Sequence, residues 1–214
     1  MTDSTVQFAS HFAALSSARQ TLLPKRLLEP GPDAVQMQQL LSSAASAPDH
    51  GQILPWRIVV VPAAVRGLLA EQFAAALVQR DAAALPHQVE QAREKAFRAP
   101  LLMLVVVDGL RGGPNIDLLE RTVSAGCAVQ NVLLMATAQG FGSALTSGKA
   151  LKADGFRRLF GLAAHEHAVC FISVGTAHTR KPGRVRPSPH DFVSYLSLDY
   201  GLVQGLPPHA EETA

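Results

Sequence analysis

Hydrophobic residues along this chain are concentrated in three short runs and one long run. The short runs, residues 56–61, 101–107 and 167–174, are rich in aliphatic residues, which is typical of buried β-strands. A further short strand is predicted at 141–146. Apolar residues at helical spacing predict helices at residues 6–17, 33 to the break at Pro48, 62–80, 86–98 and 151–160. The chain is therefore predicted to be of the α+β class, with helices packed around a small sheet.

The long run, Val123–Ala138, predicts a helix that is apolar on nearly every face. Such a helix either spans a membrane or lies inside a large core. The run is shorter than the roughly 20 residues that a bilayer requires, and Gln130 and Asn131 lie in its middle. These features exclude a membrane span and predict a buried central helix.

The sequence also predicts how this helix begins and ends. Asp117 and Glu120 have the spacing of a capping box, and Gly140 supplies a left-handed stop. Several small residues would let another backbone approach the helix closely, as at a helix or subunit contact: Ser124, Ala125, Gly126 and Ala128.

Composition adds a prediction about partners. The chain has 214 residues, of which 48% are hydrophobic and only 17% are charged. We expect one domain over residues 1–205 and a disordered tail over 206–214. A chain this apolar either buries a large core or has a large surface covered by a partner, and we favour the second explanation. The net charge of +2 and the lack of a basic block argue against nucleic acid as that partner.

The two cysteines indicate the cellular compartment of the protein rather than a catalytic role. Cys127 and Cys170 both lie in apolar runs, where a free cysteine behaves as a small hydrophobic residue. This usage favours a reducing environment, and no signal peptide is recognisable. We therefore expect a cytoplasmic protein, and we do not expect Cys127 to act as a nucleophile.

A metal site is a further possibility that the sequence disfavours. His165, Glu166 and His167 are residue types that bind zinc. On an extended chain only the two histidines would share a face, and no third ligand is evident nearby. The expected number of bound metals is zero.

Three ordered segments resemble the FMN-dependent nitroreductase superfamily, and within it a small single-domain branch. The first is Ala47-Pro48-Asp49-His50-Gly51 followed by Pro55-Trp56 and a strand. The second is Ser124-Ala125-Gly126-Cys127-Ala128-Val129, which continues to Ala138-Gln139-Gly140-Phe141-Gly142. The third and weakest is Arg19-x-Thr21 before Arg26-Leu27-x-Glu29-Pro30-x-Pro32. Each motif alone is weak, but their order and spacing match over residues 19–196.

The resemblance implies a three-layer sandwich whose small mixed or antiparallel sheet is flanked by helices around the long central helix. It implies a homodimer joined through that helix, with two FMN sites at the subunit interface. NAD(P)H would reduce the bound FMN, and a nitroaromatic, a quinone or a related electron-poor acceptor would then be reduced by a ping-pong route.

The resemblance also implies which residues contact FMN. Those expected to hold its phosphate and ribityl chain from one subunit are Arg19, Gln20 and Thr21. Ser46 and His50 would reach the same flavin from the partner, and Leu145, Thr146 and Ser147 would lie along it. Arg186 stands where many relatives have a phosphate-binding arginine. No catalytic side chain is expected, since the hydride chemistry belongs to the cofactor; the backbone near Ser143 to Leu145 would tune it.

The sequence departs from the family pattern in ways that leave alternatives open. Gln20 replaces an arginine, the interval from Arg19 to Arg26 is longer by two residues, and Leu145-Thr146 replaces a Trp-Arg pair. A non-enzymatic dimer that carries or senses FMN is one alternative, and a scaffold that has lost the flavin is another. In an interpretation without a ligand, Arg19 and Arg186 are solvent-exposed charged residues in loops, and His50 is a turn residue.

Overall fold

A four-stranded antiparallel sheet is the centre of the computed structural model, which describes residues 3–179, 182 and 185–208. Contacts divide the chain into two units, Met1–Arg180 and Lys181–Ala214, and each is described by itself. The sheet belongs to the first unit. Its strands are β1 (Trp56–Val60), β2 (Leu101–Asp108), β3 (Gly142–Thr146) and β4 (Glu166–Gly175).

The strand order is β1-β2-β4-β3, and every neighbouring pair is antiparallel. Trp56 pairs with Val107, and Leu145 pairs with Ile172. All four predicted strands are confirmed, and no bound differs from its prediction by more than one residue. The sheet is antiparallel throughout rather than mixed.

Six helices are described: α1 (Asp3–Ala18), α2 (Ala34–Ala44), α3 (Arg66–Arg80), α4 (Pro86–Glu94), α5 (Leu118–Ala138) and α6 (Asp154–Leu159). The helix predicted at 151–160 was wrong as a single element. A 3-10 turn, Lys149–Lys152, precedes α6, and Ala153 between them is extended, with φ −71° and ψ 141°. The helix predicted from Pro62 likewise begins with a 3-10 turn, Ala63–Val65.

Two apolar cores lie on opposite sides of the sheet. Val105 and Ile172 belong to the core shared with α2 and α5, whereas Val106 and Phe171 belong to the core shared with α3 and α6. Side chains of a strand alternate between the faces of its sheet, so each central strand contributes to both cores. This arrangement is the predicted three-layer α+β sandwich.

The central helix α5 begins and ends as predicted. The Asp117 carboxylate accepts a hydrogen bond from the Leu119 amide at 2.7 Å, and Glu120 completes the capping box. Gly140 has a φ of 86°, a left-handed conformation that glycine adopts without steric cost.

The expectation that α5 is buried on all sides was wrong for a single chain. Its inner side, with Val132 and Ala136 fully buried, packs on the sheet. On its outer side Leu119 and Val123 are 74% and 65% exposed. One chain therefore covers only half of this apolar helix.

Three of the small residues of α5 contact elements of their own chain, including α2, as a helix contact requires. Ser124, Ala125 and Ala128 point inward and are buried. Ser124 accepts a hydrogen bond from the Trp56 indole at 3.1 Å, so the small residues bring α5 close to its own sheet. Gly126 is the one member of the set that is exposed.

The second unit contains a β-hairpin, β5 (Ser194–Ser197) paired with β6 (Gly201–Gln204). Neither strand of this hairpin was predicted. Residues 209–214 of the predicted tail lie outside the described residues, as do residues 180, 181, 183 and 184. The single domain over 1–205 stays a prediction. Among the described residues, no helix is both long and apolar enough to cross a membrane.

Gly142 is needed for packing between β3 and the segment after α1. Its φ is not positive, and a Cβ there would lie 2.6 Å from Leu22 Cδ1 and 2.8 Å from Leu27 Cδ2. We expect Gly142→Ala to lower the free energy of unfolding by about 1–3 kcal/mol, the usual cost of overpacking. Chemical denaturation measures this loss.

Gly67→Ala is the matched control, because a Cβ at Gly67 meets nothing within 4 Å. The control should not lower stability. A Gly142→Ala protein as stable as the control would contradict this account of the packing.

Candidate cofactor-binding site

The first group of predicted site residues follows α1 and lies beside β3. Thr21 forms a parallel bridge with Ser143, and the Leu22 amide donates to the Ser143 carbonyl at 3.0 Å. Arg19 Nη1 donates to Thr21 Oγ1 at 3.5 Å. The structure thus brings a guanidinium and an exposed hydroxyl together at the outer edge of the sheet.

Gln20 belongs to the same group and shows where this group lies relative to α5. It lines a small pocket with Thr137 and Phe141, at the C-terminal end of that helix. The segment 19–21 is therefore fixed at one end of α5.

The residues of β3 divide between the two faces of the sheet. Leu145 pairs with Ile172 and faces the α2 and α5 side, where it is 43% exposed. Thr146 pairs with Phe171 and faces the α3 side. A ligand lying on one face of the sheet can touch only one of these two side chains. Ser147, which follows β3, is exposed.

Ser143 lies on the same face as Leu145, because the two are separated by one residue on β3. Its hydroxyl is buried and forms no hydrogen bond within the described residues. Buried hydroxyl groups nearly always have a hydrogen-bond partner. A buried hydroxyl without one, beside residues 19–21, is therefore unusual.

The second group, Ser46 and His50, follows α2. The Ser46 amide donates to the Ser43 carbonyl at 3.3 Å, which continues the last turn of α2. His50 Nδ1 lies 2.6 Å from Glu120 Oε2, in the first turn of α5. The interaction with His50 lowers the pKa of the Glu120 carboxyl, and a hydrogen bond from the Asp117 backbone acts in the same direction.

The loop that carries His50 has an unusual backbone. Gln52 and Leu54 have φ values of 53° and 48°, and Gly51 has 68°. Residues other than glycine rarely have positive φ values, and those that do cluster at ligand-binding sites. A hydrogen bond of 2.6 Å from the Leu54 amide to Asp49 Oδ2 holds the loop in this form.

The two groups lie at opposite ends of α5. Glu120, which contacts His50, and Thr137, which lines a pocket with Gln20, are 17 residues apart on this helix. At roughly 1.5 Å per residue, these positions are separated by about 25 Å. A single chain therefore does not bring the two predicted groups together.

Arg186 belongs to the second unit, where it is exposed in an extended segment. Its predicted contact with a phosphate stays a prediction.

The histidines and acids considered as metal ligands have other contacts. Glu166 accepts two hydrogen bonds from the Arg57 guanidinium, at 2.7 and 3.2 Å. His165 Nε2 lies 3.5 Å from Asp108 Oδ1. In the described part of the chain, no group of three or more potential ligands could hold a metal ion. Burial raises the pKa of the Cys170 thiol to about 11, which keeps it protonated at neutral pH.

Sequence reasoning missed the role of two buried arginines. Arg121 donates to the carbonyl groups of Arg111 and Gly113 and so shapes the loop before α5. Arg66 donates to the carbonyls of Ala99 and Pro100 at 2.6 Å each, and burial lowers its pKa. Both lie in segments whose charge pattern resembles that of an ordinary helix surface, so the sequence carries no signal for this role.

Comparison with known proteins identifies the family. The sequence model of the Nitroreductase family matches residues 27–176, which is well over half of the chain. A relative from Escherichia coli (strain K12), named "Putative NAD(P)H nitroreductase YdjA", is 34% identical over 174 residues, covering 80% of this chain and 92% of that protein. A relative from Haemophilus influenzae, named "Putative NAD(P)H nitroreductase", is 30% identical, covering 80% of this chain and 93% of that protein. The chain belongs to the nitroreductase family.

Solved structures agree on the fold. A nitroreductase-like family protein from Bacillus cereus superimposes with a TM-score of 0.73 at 18% identity, covering 85% of this chain and 93% of that one. A nitroreductase with bound FMN from Desulfitobacterium hafniense gives a TM-score of 0.61 at 20% identity, covering 86% of this chain and 97% of that one. The resemblance predicted from the three motifs is confirmed.

Proposed function

We propose that this protein is a homodimeric, FMN-dependent oxidoreductase that uses NAD(P)H to reduce small electron-poor acceptors such as nitroaromatics and quinones. The observation that carries the proposal is the separation of the two groups of site residues along α5. Each group exposes side chains suited to a flavin, and neither group forms a complete site within one chain. The names of the relatives support NAD(P)H as the reductant.

The dimer is supported by apolar surface that one chain leaves exposed. Leu119 and Val123 form an exposed stripe with Gly126 on the outer side of α5. On α1, Phe8 and Phe12 are 73% and 62% exposed. Patches of this kind mark interaction surfaces. If two copies of α5 pack antiparallel about a two-fold axis, the beginning of one helix meets the end of the other.

That packing would join the two groups of site residues. The segment 19–21 at the end of one α5 would lie near His50 at the beginning of the partner's α5. Because the contact is symmetric, it would create two equivalent sites. This packing would explain why the two groups of site residues are about 25 Å apart within one chain, since each group would meet the other group of the partner.

The first group fits the phosphate end of FMN. Arg19 offers a guanidinium that forks to two phosphate oxygens, and Thr21 offers a hydroxyl donor. Gln20 adds an amide close to these donors. Arg186 would contribute a second cation.

The remaining residues fit the rest of the cofactor. Leu145 offers a half-exposed apolar side chain for the flat ring, and the nearby backbone of β3 offers donors and acceptors. Ser46 and His50 would supply hydrogen bonds from the partner. When bound, FMN would supply the redox chemistry, taking a hydride from NAD(P)H and passing two electrons, with protons, to the acceptor; NAD(P)H and the acceptor would occupy the same place in turn. The chain itself binds and orients these molecules and keeps water from the ring.

A second candidate function follows from the Leu145-Thr146 pair. By the resemblance described above, it stands in place of a tryptophan and an arginine, so this segment would lack a permanent cation. A protein that binds FMN but no longer uses it for turnover would carry or sense the cofactor. Free cysteines support a cytoplasmic location for either function.

The absorbance spectrum of the purified protein tests the proposed function. We expect the bands of oxidised flavin, with two FMN per dimer, and their anaerobic bleaching by NAD(P)H followed by recovery on addition of a quinone. Flavin bands that NAD(P)H does not bleach would favour the carrier. Protein that takes up no FMN would contradict both functions.

Leu145 and Thr146 provide a matched pair of variants for the position of the ring. If the ring lies on the α5 face of the sheet, Leu145→Ala should weaken FMN binding about fivefold, because a half-buried aliphatic contact contributes roughly 1 kcal/mol. Thr146→Ala should change it less than about twofold. Fluorescence titration of apo-protein with FMN measures both. A larger loss for Thr146→Ala would put the ring on the other face.

A further inference from the structure

We propose that Glu120 is a positioning residue that fixes the tautomer of His50 and directs its Nε2 atom toward the bound ligand. The proposal rests on the proposed function in one respect, that the ligand is FMN. It concerns a pair of side chains that are 70 residues apart in the chain and meet at the beginning of α5.

The geometry of the pair is specific. His50 Nδ1 and Glu120 Oε2 are 2.6 Å apart, which is short for a hydrogen bond from nitrogen to a carboxylate. The other carboxylate oxygen, Oε1, accepts from the Asp117 amide at 3.4 Å. Glu120 is therefore held by the backbone of its own helix on one side and holds the imidazole on the other.

Stability alone does not account for this pair. The His50 and Glu120 side chains are 68% and 46% exposed, and ion pairs this exposed contribute little to folding. The pair instead ties the loop of residues 49–54, with its strained backbone, to the rigid start of α5. The His50 imidazole is thereby held in one position at a site that we assign to ligand binding.

The chemistry of the pair determines what His50 offers to a ligand. An ionised carboxylate only accepts hydrogen bonds, so Nδ1 of His50 must carry the proton. In the neutral ring Nε2 is then an acceptor, suited to a ligand hydroxyl or imide N–H. FMN has both groups, on its ribityl chain and on its ring. Other charged groups near the carboxylate are Asp117, which caps the helix, and Arg121, which donates to backbone carbonyls.

The tautomer of His50 can be measured without a ligand. Two-bond ¹H–¹⁵N correlation spectra of histidine-labelled apo-protein distinguish Nδ1–H from Nε2–H, and a His50→Gln sample assigns the signal. At a pH where the ring is neutral, we expect Nδ1–H in the wild-type protein and in Glu120→Gln, whose amide oxygen still accepts. In Glu120→Ala we expect the Nε2–H form to predominate.

Binding of FMN to the same variants gives the second measurement. Glu120→Ala should weaken FMN binding about two- to tenfold, the effect of one lost hydrogen bond. Glu120→Gln should restore most of the affinity. Asp117→Ala is the control for loss of the helix cap: it should lower thermal stability and leave both the tautomer and the affinity unchanged.

The outcomes separate this proposal from the proposed function. An Nδ1–H tautomer that persists in Glu120→Ala would overturn the proposal. So would unchanged FMN affinity in Glu120→Ala when His50→Ala weakens binding, or an equal loss of affinity in Asp117→Ala. Wild-type protein that binds no FMN would contradict the proposed function, whereas the tautomer in apo-protein still decides the role of Glu120.

Discussion

The packing of α5 against the sheet on one side only is the constraint from which the rest of this structure follows. Val132 and Ala136 on its inner side are fully buried in the apolar core between α5 and the sheet. Its outer side carries Leu119 and Val123 in the open. Burial of such side chains is favourable by roughly 1.5–3 kcal/mol each, so covering them with a second surface would stabilise the protein.

The position of α5 also determines what each chain can offer to a ligand. The helix separates the loop of His50 from the segment of Arg19 and Thr21 by most of its own length. The antiparallel sheet, through the alternation of β3, presents Leu145 on the α5 side and Thr146 on the other. The proposed dimer and the proposed flavin site therefore depend on one element, because the helix with an exposed apolar side is also the helix whose two ends lie beside the proposed site residues.

Much of the fold was predictable because its signals are local. Uninterrupted aliphatic runs gave the central strands, and the Asp117–Glu120 spacing gave the start of α5. Predictions failed where contacts between residues that are distant in the sequence determine the local structure. Ala153 looks helical but is extended between two short helical segments. Gly142 is known from the sequence only as part of a motif, yet the space at this position is limited by Leu22 and Leu27, which lie far away in the sequence.

The site shows the same division between local and long-range information. Motif order predicted the family, and the structure placed Arg19 beside Thr21 and His50 at the start of α5. The link between His50 and Glu120 could not be predicted, because Glu120 already had a sufficient explanation as a capping residue. Equally, the sequence does not reveal which small residues of α5 face inward, since a helix that is apolar all round has no pattern to orient it.

Mixed dimers test most directly whether two chains share each site. An Arg19→Ala chain and a His50→Ala chain, carrying different affinity tags, are combined and the heterodimer is isolated. One of its two sites then contains both substitutions and the other contains neither, so we predict one tightly bound FMN per mixed dimer, against strongly reduced FMN in each single-variant dimer. A mixed dimer as depleted of FMN as the single-variant dimers would contradict the account, because it would mean that Arg19 and His50 act on the flavin from the same chain.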